Sequence, residues 1–211
     1  MNVDFNNKTF LRLSAERDIK PESDSANKLR SNGDGATNII QKFLNKADYE
    51  SNLVENQLLD YLNIIMEPDA SFDRVLVQQY VNDKWEVFLE EKEKGKISLS
   101  DSGSGLKTII LILSFILLIP EFENKVLDSY IFAFEELENN LHPALQRRLF
   151  KFLSDFVIEN NINAFITTHS NVPIDMFNIN KDAQIYHVLH DGKTSNVDIV
   201  KTYVELSFPI F

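Results

Sequence analysis

Two short apolar runs, Tyr130 to Phe134 and Ala164 to Thr168, stand on either side of an amphipathic stretch from Pro143 to Asn160. Runs of that length read as buried strands, and the stretch between them has helical spacing. Strand, helix and strand in that order make a βαβ unit, which predicts two parallel strands in a sheet flanked by helices. An α/β class follows.

The rest of the chain is read against that unit. Thr9 to Ser14 suits a short strand, whereas Pro21 to Ala36 is rich in Ser, Asn, Asp and Gly with no apolar period. That loop is expected to be disordered, or ordered only by a partner or ligand. Ile39, Ile40, Phe43 and Leu44 then fall at helical spacing, and a second amphipathic helix runs from Leu53 to Ile65, ending before Pro68. Arg74 to Val81 and Trp85 to Leu89 flank a polar turn and predict an antiparallel hairpin. Glu90 to Lys96 reads as its charged, solvated tip. Asp101 to Gly105 is a tight turn opening an apolar helix, Leu106 to Ile119. Gln184 to Leu189 and Ser195 to Val200 flank His190-Asp191-Gly192-Lys193 and predict a terminal hairpin. Residues 1–73 are taken as a linker and helical segment, and residues 74–211 as one lobe.

Composition excludes several classes. The 211 residues weigh 24.3 kDa, with 44% hydrophobic and 25% charged side chains, which is globular and not disordered composition. Lys and Arg number 21 against 32 Asp and Glu, a formal charge of −11, so a general electrostatic grip on DNA is not expected. Zero cysteines rule out disulfides and thiolate metal sites. The most apolar stretch, Ile109 to Ile119, is far shorter than the roughly 20 residues of a bilayer span. A buried helix and a soluble, cytoplasmic protein are expected.

Three stretches can carry chemistry. Ile131-Phe132-Ala133-Phe134-Glu135-Glu136 is an apolar strand ending in two carboxylates, at the sheet edge where open α/β folds bind ligands. Successive strand residues point opposite ways, so one acid can hold Mg²⁺ and the other orient a water. Phe165 to Ser170 is a second strand with a polar tip, where His169 can contact a phosphate or polarise a water. Leu99 to Lys107 is a Gly/Ser turn leading into a helix, open to an anion at its amides. Taken singly, these also read as solvated strand-end acids, a structural histidine and an ordinary helix start. His187 and His190 have no evident chemical partner. Gly105-Leu106-Lys107-Thr108 mimics the end of a P-loop, but Leu106 separates Gly from Lys, and G-x-x-x-x-G-K-[ST] occurs nowhere in the sequence.

In order and spacing these stretches resemble the C-terminal half of an ABC-type ATPase head, of the group that holds the OLD-family, RecF-like and SMC-like ATPases. Ser100 to Gly105 is similar to the signature turn, and Ile131 to Glu136 to Walker B. Glu138 to Pro143 resembles the D-loop, and Thr167-Thr168-His169-Ser170 the strand with the switch histidine. The run from Glu135 to Pro143 is similar to D-E-P-E-x-x-L-H-P, with Glu135 in place of Asp and Leu137 in place of Pro. Ser14-Ala15-Glu16-Arg17 and Gly33-Asp34-Gly35 are more weakly similar to segments between Walker A and the signature. The resemblance implies a P-loop NTPase-like fold, mostly parallel, with flanking helices and an antiparallel hairpin. It implies ATP and Mg²⁺ as cofactors, Glu135 as the metal-associated acid, Glu136 as the catalytic carboxylate and His169 as the switch. Ser102, Gly103, Ser104 and Gly105 would face the γ-phosphate of a nucleotide held by a second head.

Three functions compete on this reading. The first is ATP hydrolysis by a homodimer or larger assembly of heads, in DNA maintenance or anti-phage defence, with DNA or an effector nuclease as partner and no membrane. Its P-loop would come from a missing N-terminal segment or from a partner. The second is a non-catalytic half-head that docks on another ATPase. The third, a metal-dependent nuclease on Glu135, Glu136 and Glu138, is weaker, because OLD-type nucleases carry that chemistry in a separate Toprim domain. A half-head also predicts an exposed sheet edge and apolar face, and therefore association.

Overall fold

The computed structural model describes residues 7–23, 28–91 and 94–200. The start of the chain before residue 7, residues 24–27 of the polar loop and residues 92 and 93 of the charged tip lie outside them. Two units are present, Met1–Thr168 and His169–Phe211.

The first unit holds, in chain order, β1 (Thr9–Leu13), β2 (Glu22–Ser23), α1 (Ala36–Asn45), α2 (Leu59–Met66), β3 (Phe72–Gln79), β4 (Lys84–Glu91), β5 (Gly95–Ser98), α3 (Ser104–Leu113), α4 (Ile119–Phe122), β6 (Tyr130–Glu135), α5 (Pro143–Glu159) and β7 (Asn163–Thr167). β1, β6 and β7 form a parallel sheet in the order β1-β6-β7, with Leu13 opposite Phe134 and Glu135 opposite Thr167. The βαβ expectation is met, with α5 as the crossover.

Alternation decides what this sheet covers. Leu13, Tyr130, Phe132 and Phe134 are buried on one face, and Phe132 and Phe134 lie 6.1 Å apart with rings stacked at 19°. On the other face Phe10 is 61% exposed and Phe165 45%. The half-head expectation that Ile109 to Ile119 and Ile131 to Phe134 need cover from outside is not met: the apolar helix, Ile131, Phe132 and Phe134 are buried within the chain itself, and apolar exposure on this face is confined to rings such as Phe10 and Phe165.

The predicted hairpin is β3–β4, with Gln79 opposite Trp85. The stretch after it is not simply a solvated tip. Glu91 is buried, and the chain returns as β5, pairing Ile97 with Leu89. β2 pairs antiparallel with the start of β4, so the polar loop is ordered where it is described. Gly33 shows how: a Cβ there would lie 2.1 Å from the Asp18 carbonyl oxygen and 3.1 Å from Leu111 of α3. Backbone stacked that closely leaves room only for glycine.

The apolar helix is longer than its sequence suggested. From Ser104 to Phe122 it runs 19 residues, long and apolar enough to cross a membrane by length and composition alone. Of that window 72% is buried inside the protein, which marks a core helix. A π-helical stretch, Ser114–Leu118, interrupts it, where the Ser114 hydroxyl donates to the Ile110 carbonyl at 2.7 Å. Such back-bonding loosens a helix locally. Pro120 follows in the first turn of α4, where a missing N–H costs least. A second π-helical stretch, Leu53–Leu58, leads into α2.

The second unit holds α6 (Asn171–Phe177) and the antiparallel pair β8 (Ile185–His190) and β9 (Ser195–Val200), with His190 opposite Ser195. The terminal hairpin is as expected, closed by Asp191 N–H donating to the Thr194 carbonyl at 3.2 Å.

Candidate functional site

β6 ends in Glu135 and brings Glu136 just past the carboxyl edge of the parallel sheet, where the two acids take different partners. Glu135 turns toward β1. Its Oε1 meets Arg12 Nε at 2.6 Å and its Oε2 accepts from the Ala15 amide at 3.2 Å. The guanidinium holds this carboxyl below its ordinary pKa, with the amide helping and slight burial opposing. Glu135 is therefore an ionised, half-buried strand-end carboxylate.

Glu136 lies one residue beyond the ladder, and its φ is +44°, in the left-handed region. A non-glycine residue there costs roughly 1–2 kcal/mol unless its surroundings over-determine it. They do. Its amide donates to the Thr167 carbonyl at 2.9 Å, and its own carbonyl accepts from the Asn139 amide at 3.1 Å. Its Oε2 accepts from Asn139 Nδ2 at 2.9 Å. The carboxylate is thus aimed from a fixed backbone by the turn that follows it. Glu138, buried two residues on, accepts from the Thr168 hydroxyl at 2.7 Å, tying the turn to the end of β7. Gln146 of α5 donates to the Leu141 carbonyl at 2.9 Å and closes the turn from below.

The Gly/Ser turn starts α3 with Gly103 as its N-cap and no side-chain cap. Ser102 is spent inside the turn, its hydroxyl donating to the Leu99 carbonyl at 2.7 Å. A Cβ on Gly105 would come within 2.7 Å of Leu141, so the turn and the Glu138-to-His142 loop lie against each other. A Cβ on Gly103 would meet nothing within 4 Å. Its backbone angles, φ −63° and ψ 146°, suit any residue.

Sequence reasoning missed the residue that ties these parts together. Arg17 Nε donates to the Thr108 hydroxyl of α3 at 3.0 Å. Its Nη1 donates to the carbonyls of Ser14 and Glu135, each at 2.7 Å, and its Nη2 to the Glu136 carbonyl at 3.0 Å. Burial lowers its pKa, while Glu138, Glu136 and Glu135 pull the other way. Next to it Asp18 accepts from Lys107 Nζ at 2.7 Å. The signal available was an arginine just past a strand, in the Ser14-to-Arg17 stretch already noted.

The first unit thus brings Glu135, Glu136 and the loop behind Gly105 together. His169 follows Thr168 directly and begins the second unit. Among the described residues no group of three or more His, Cys, Asp or Glu is placed to hold a metal by itself.

A family model described as an AAA ATPase domain matches residues 5–173. No curated protein sequence matches. Among solved structures, one from work on ATP-driven dimerization and DNA stimulated activation of SMC ATPases is similar at 16% identity and a TM-score of 0.48, over 68% of this chain and 83% of that one. The SMC head domain from Thermotoga maritima is similar at 12% identity and a TM-score of 0.45, over 76% of this chain and 51% of its own. The Smc head domain with an extended coiled coil, bound to the C-terminal domain of ScpA and derived from Pyrococcus furiosus, is similar at 16% identity and 0.46, over 68% and 34%.

Proposed function

The chain belongs to the AAA ATPase domain family, and from that premise we propose that it forms the C-terminal half of an ABC-type ATPase head, working as a homodimer or larger assembly. The observation that carries this reading is Glu136. A carboxylate just past the end of a parallel strand, on a left-handed residue braced by Thr167, Asn139 and Arg17, is built to orient a water rather than to stabilise the fold.

The groups the family implies fit the residues in kind. Mg²⁺ at a nucleotide site takes one or two carboxylates and fills its octahedron with phosphate and water. Glu135 is held ionised, and of the roughly four lone-pair sites on a carboxylate the Arg12 and Ala15 contacts use two. Gly103 leaves open space over the start of α3, where a phosphate of a nucleotide held by a second head can approach the amides. When bound, the ion supplies charge neutralisation on the phosphates. Glu136 would hold a water for in-line attack, and the family resemblance would give His169 the role of switch. Ser102 to Gly105 close the nucleotide against the partner head.

The phosphate cradle itself would come from a segment outside this sequence or from a partner chain. DNA maintenance or anti-phage defence, in the manner of OLD-family proteins and in the cytoplasm, with DNA or an effector nuclease as partner, is the biological setting we attach to this machine. A non-catalytic half-head is the second reading. It is favoured by one observation, that both Glu135 oxygens are already engaged by the chain itself.

Calorimetry of Mg-ATP against this chain, alone and with a P-loop-bearing segment, tests the proposal. We expect no measurable binding alone, and with the segment turnover that Glu136→Gln lowers by about a hundredfold or more. Turnover indifferent to Glu136→Gln would sink the catalytic assignment, and binding without any turnover would leave the docking module standing.

A further inference from the structure

Arg17 is a half-buried cation whose four assigned acceptors are three backbone carbonyls and one hydroxyl, none of them a carboxylate. A guanidinium drawn partly out of water to bind carbonyls loses solvation, which lowers its pKa while Glu138, Glu136 and Glu135 oppose the shift. What the arrangement provides is geometry, because the planar fork fixes several acceptors at once. Those acceptors belong to three elements: the end of β1 at Ser14, the end of β6 at Glu135 and Glu136, and α3 at Thr108.

We infer that Arg17 is a positioning residue that couples the Gly/Ser turn at the start of α3 to the aim of the Glu136 carboxylate. Thr108 lies one helical turn after Ser104 and is buried, so displacement of the turn by a partner head moves the Thr108 hydroxyl with it. Lys107, the residue before it, is held by Asp18, the residue after Arg17. Two successive side chains of α3 are therefore gripped by two successive residues of one loop. The other end of the fork holds the Glu135 and Glu136 carbonyls. The Glu136 carbonyl also receives the Asn139 amide, and Asn139 carries the side chain that steers the Glu136 carboxylate. A shift at α3 thus reaches the carboxylate through a short chain of bonds, with the left-handed backbone of Glu136 as the strained element that responds. The inference rests on the reading of Glu136 as the catalytic carboxylate.

Thr108→Val and Thr108→Ser test it without removing the arginine. Valine keeps the shape and loses the hydroxyl, whereas serine keeps the hydroxyl and loses a methyl. Coupling predicts that Thr108→Val speeds amide exchange at residues 136–139 about tenfold while α5 is unchanged, and that Thr108→Ser behaves as wild type. A packing role predicts the reverse order. In the ATP-hydrolysing assembly Thr108→Val should lower kcat about tenfold with KM for ATP within about twofold, and Thr108→Ser should restore it. Equal behaviour of the two variants in exchange overturns the coupling. If Glu136→Gln leaves turnover intact, the catalytic reading and the positioning role fall together, while the exchange comparison still reports whether α3 and the strand end are joined.

Discussion

Gly103 and Gly105 stand two residues apart in one turn and are glycine for different reasons. At Gly105 the neighbour is Leu141, 2.7 Å from where a Cβ would sit. Alanine there gains up to about 1 kcal/mol of helix propensity but overpacks at a cost of about 1–3 kcal/mol, so Gly105→Ala should be mildly destabilising in a urea melt. At Gly103 neither angles nor space require glycine. Gly103→Ala should change stability by less than about 0.5 kcal/mol, yet reduce ATP-driven association or turnover, since the added methyl lies where a second head would approach. A Gly103→Ala variant with full turnover would remove the turn from the site. The two acids at the end of β6 were legible in the sequence as a strand end, a pattern that alone also suits solvated acids, and only the neighbouring motifs singled them out. Arg12 was not legible, because its partner Glu135 lies 123 residues away in sequence.

At the scale of elements, α1 depends on a residue that is not part of it. Its N-cap, Gly35, offers no side chain, and the vacant role falls to Glu22 of β2, which accepts from the Gly35 amide and, at 3.1 Å, from the Asn38 amide. Those are the N-cap and N3 donors, so a strand residue does the work of a capping box. Glu22→Ala should cost about 1–2 kcal/mol. Burial raises the Glu22 pKa above its ordinary value, outweighing the two amides that lower it. A raised acid contributes most below its unfolded pKa and loses that contribution as pH climbs through the folded value. The penalty of Glu22→Ala should therefore be larger near pH 4 than near pH 7, and urea melts at both values would detect the reverse order. The same contacts explain which elements could be read in advance. α1, α5 and the β3–β4 hairpin carry their period in their own residues. The polar loop and β5 do not. The loop is set by Gly33 against Asp18 and by β2 against β4, and β5 by its register with β4, all of which exist only after folding.

For the whole molecule, the question is what meets the exposed Phe10 at the edge of the parallel sheet. Phe10 pairs with Ile131, two residues before Arg12 on β1 and four before Glu135 on β6, so the exposed ring and the strand-end acid share a face of the sheet. Among the described residues β1 pairs only with β6, which leaves its other edge available. Burying one phenylalanine is worth about 2–3 kcal/mol, and about 1.4 kcal/mol is a factor of ten in affinity. If this face is a seam between heads or between a head and its P-loop segment, Phe10→Ser should weaken association by about tenfold or more in sedimentation velocity. The fold should survive, because Leu13 and the β6 aromatics pack on the opposite face. The second unit supplies a control. On β8 and β9, Tyr186 opposes Ile199 and Val188 opposes Val197, and all four are more than half exposed. Association that responds to Val188→Ser and not to Phe10→Ser would move the seam to that hairpin. A chain that stays monomeric at high concentration and binds no apolar dye would show that neither face is a seam, and would remove the physical reason for requiring a second head.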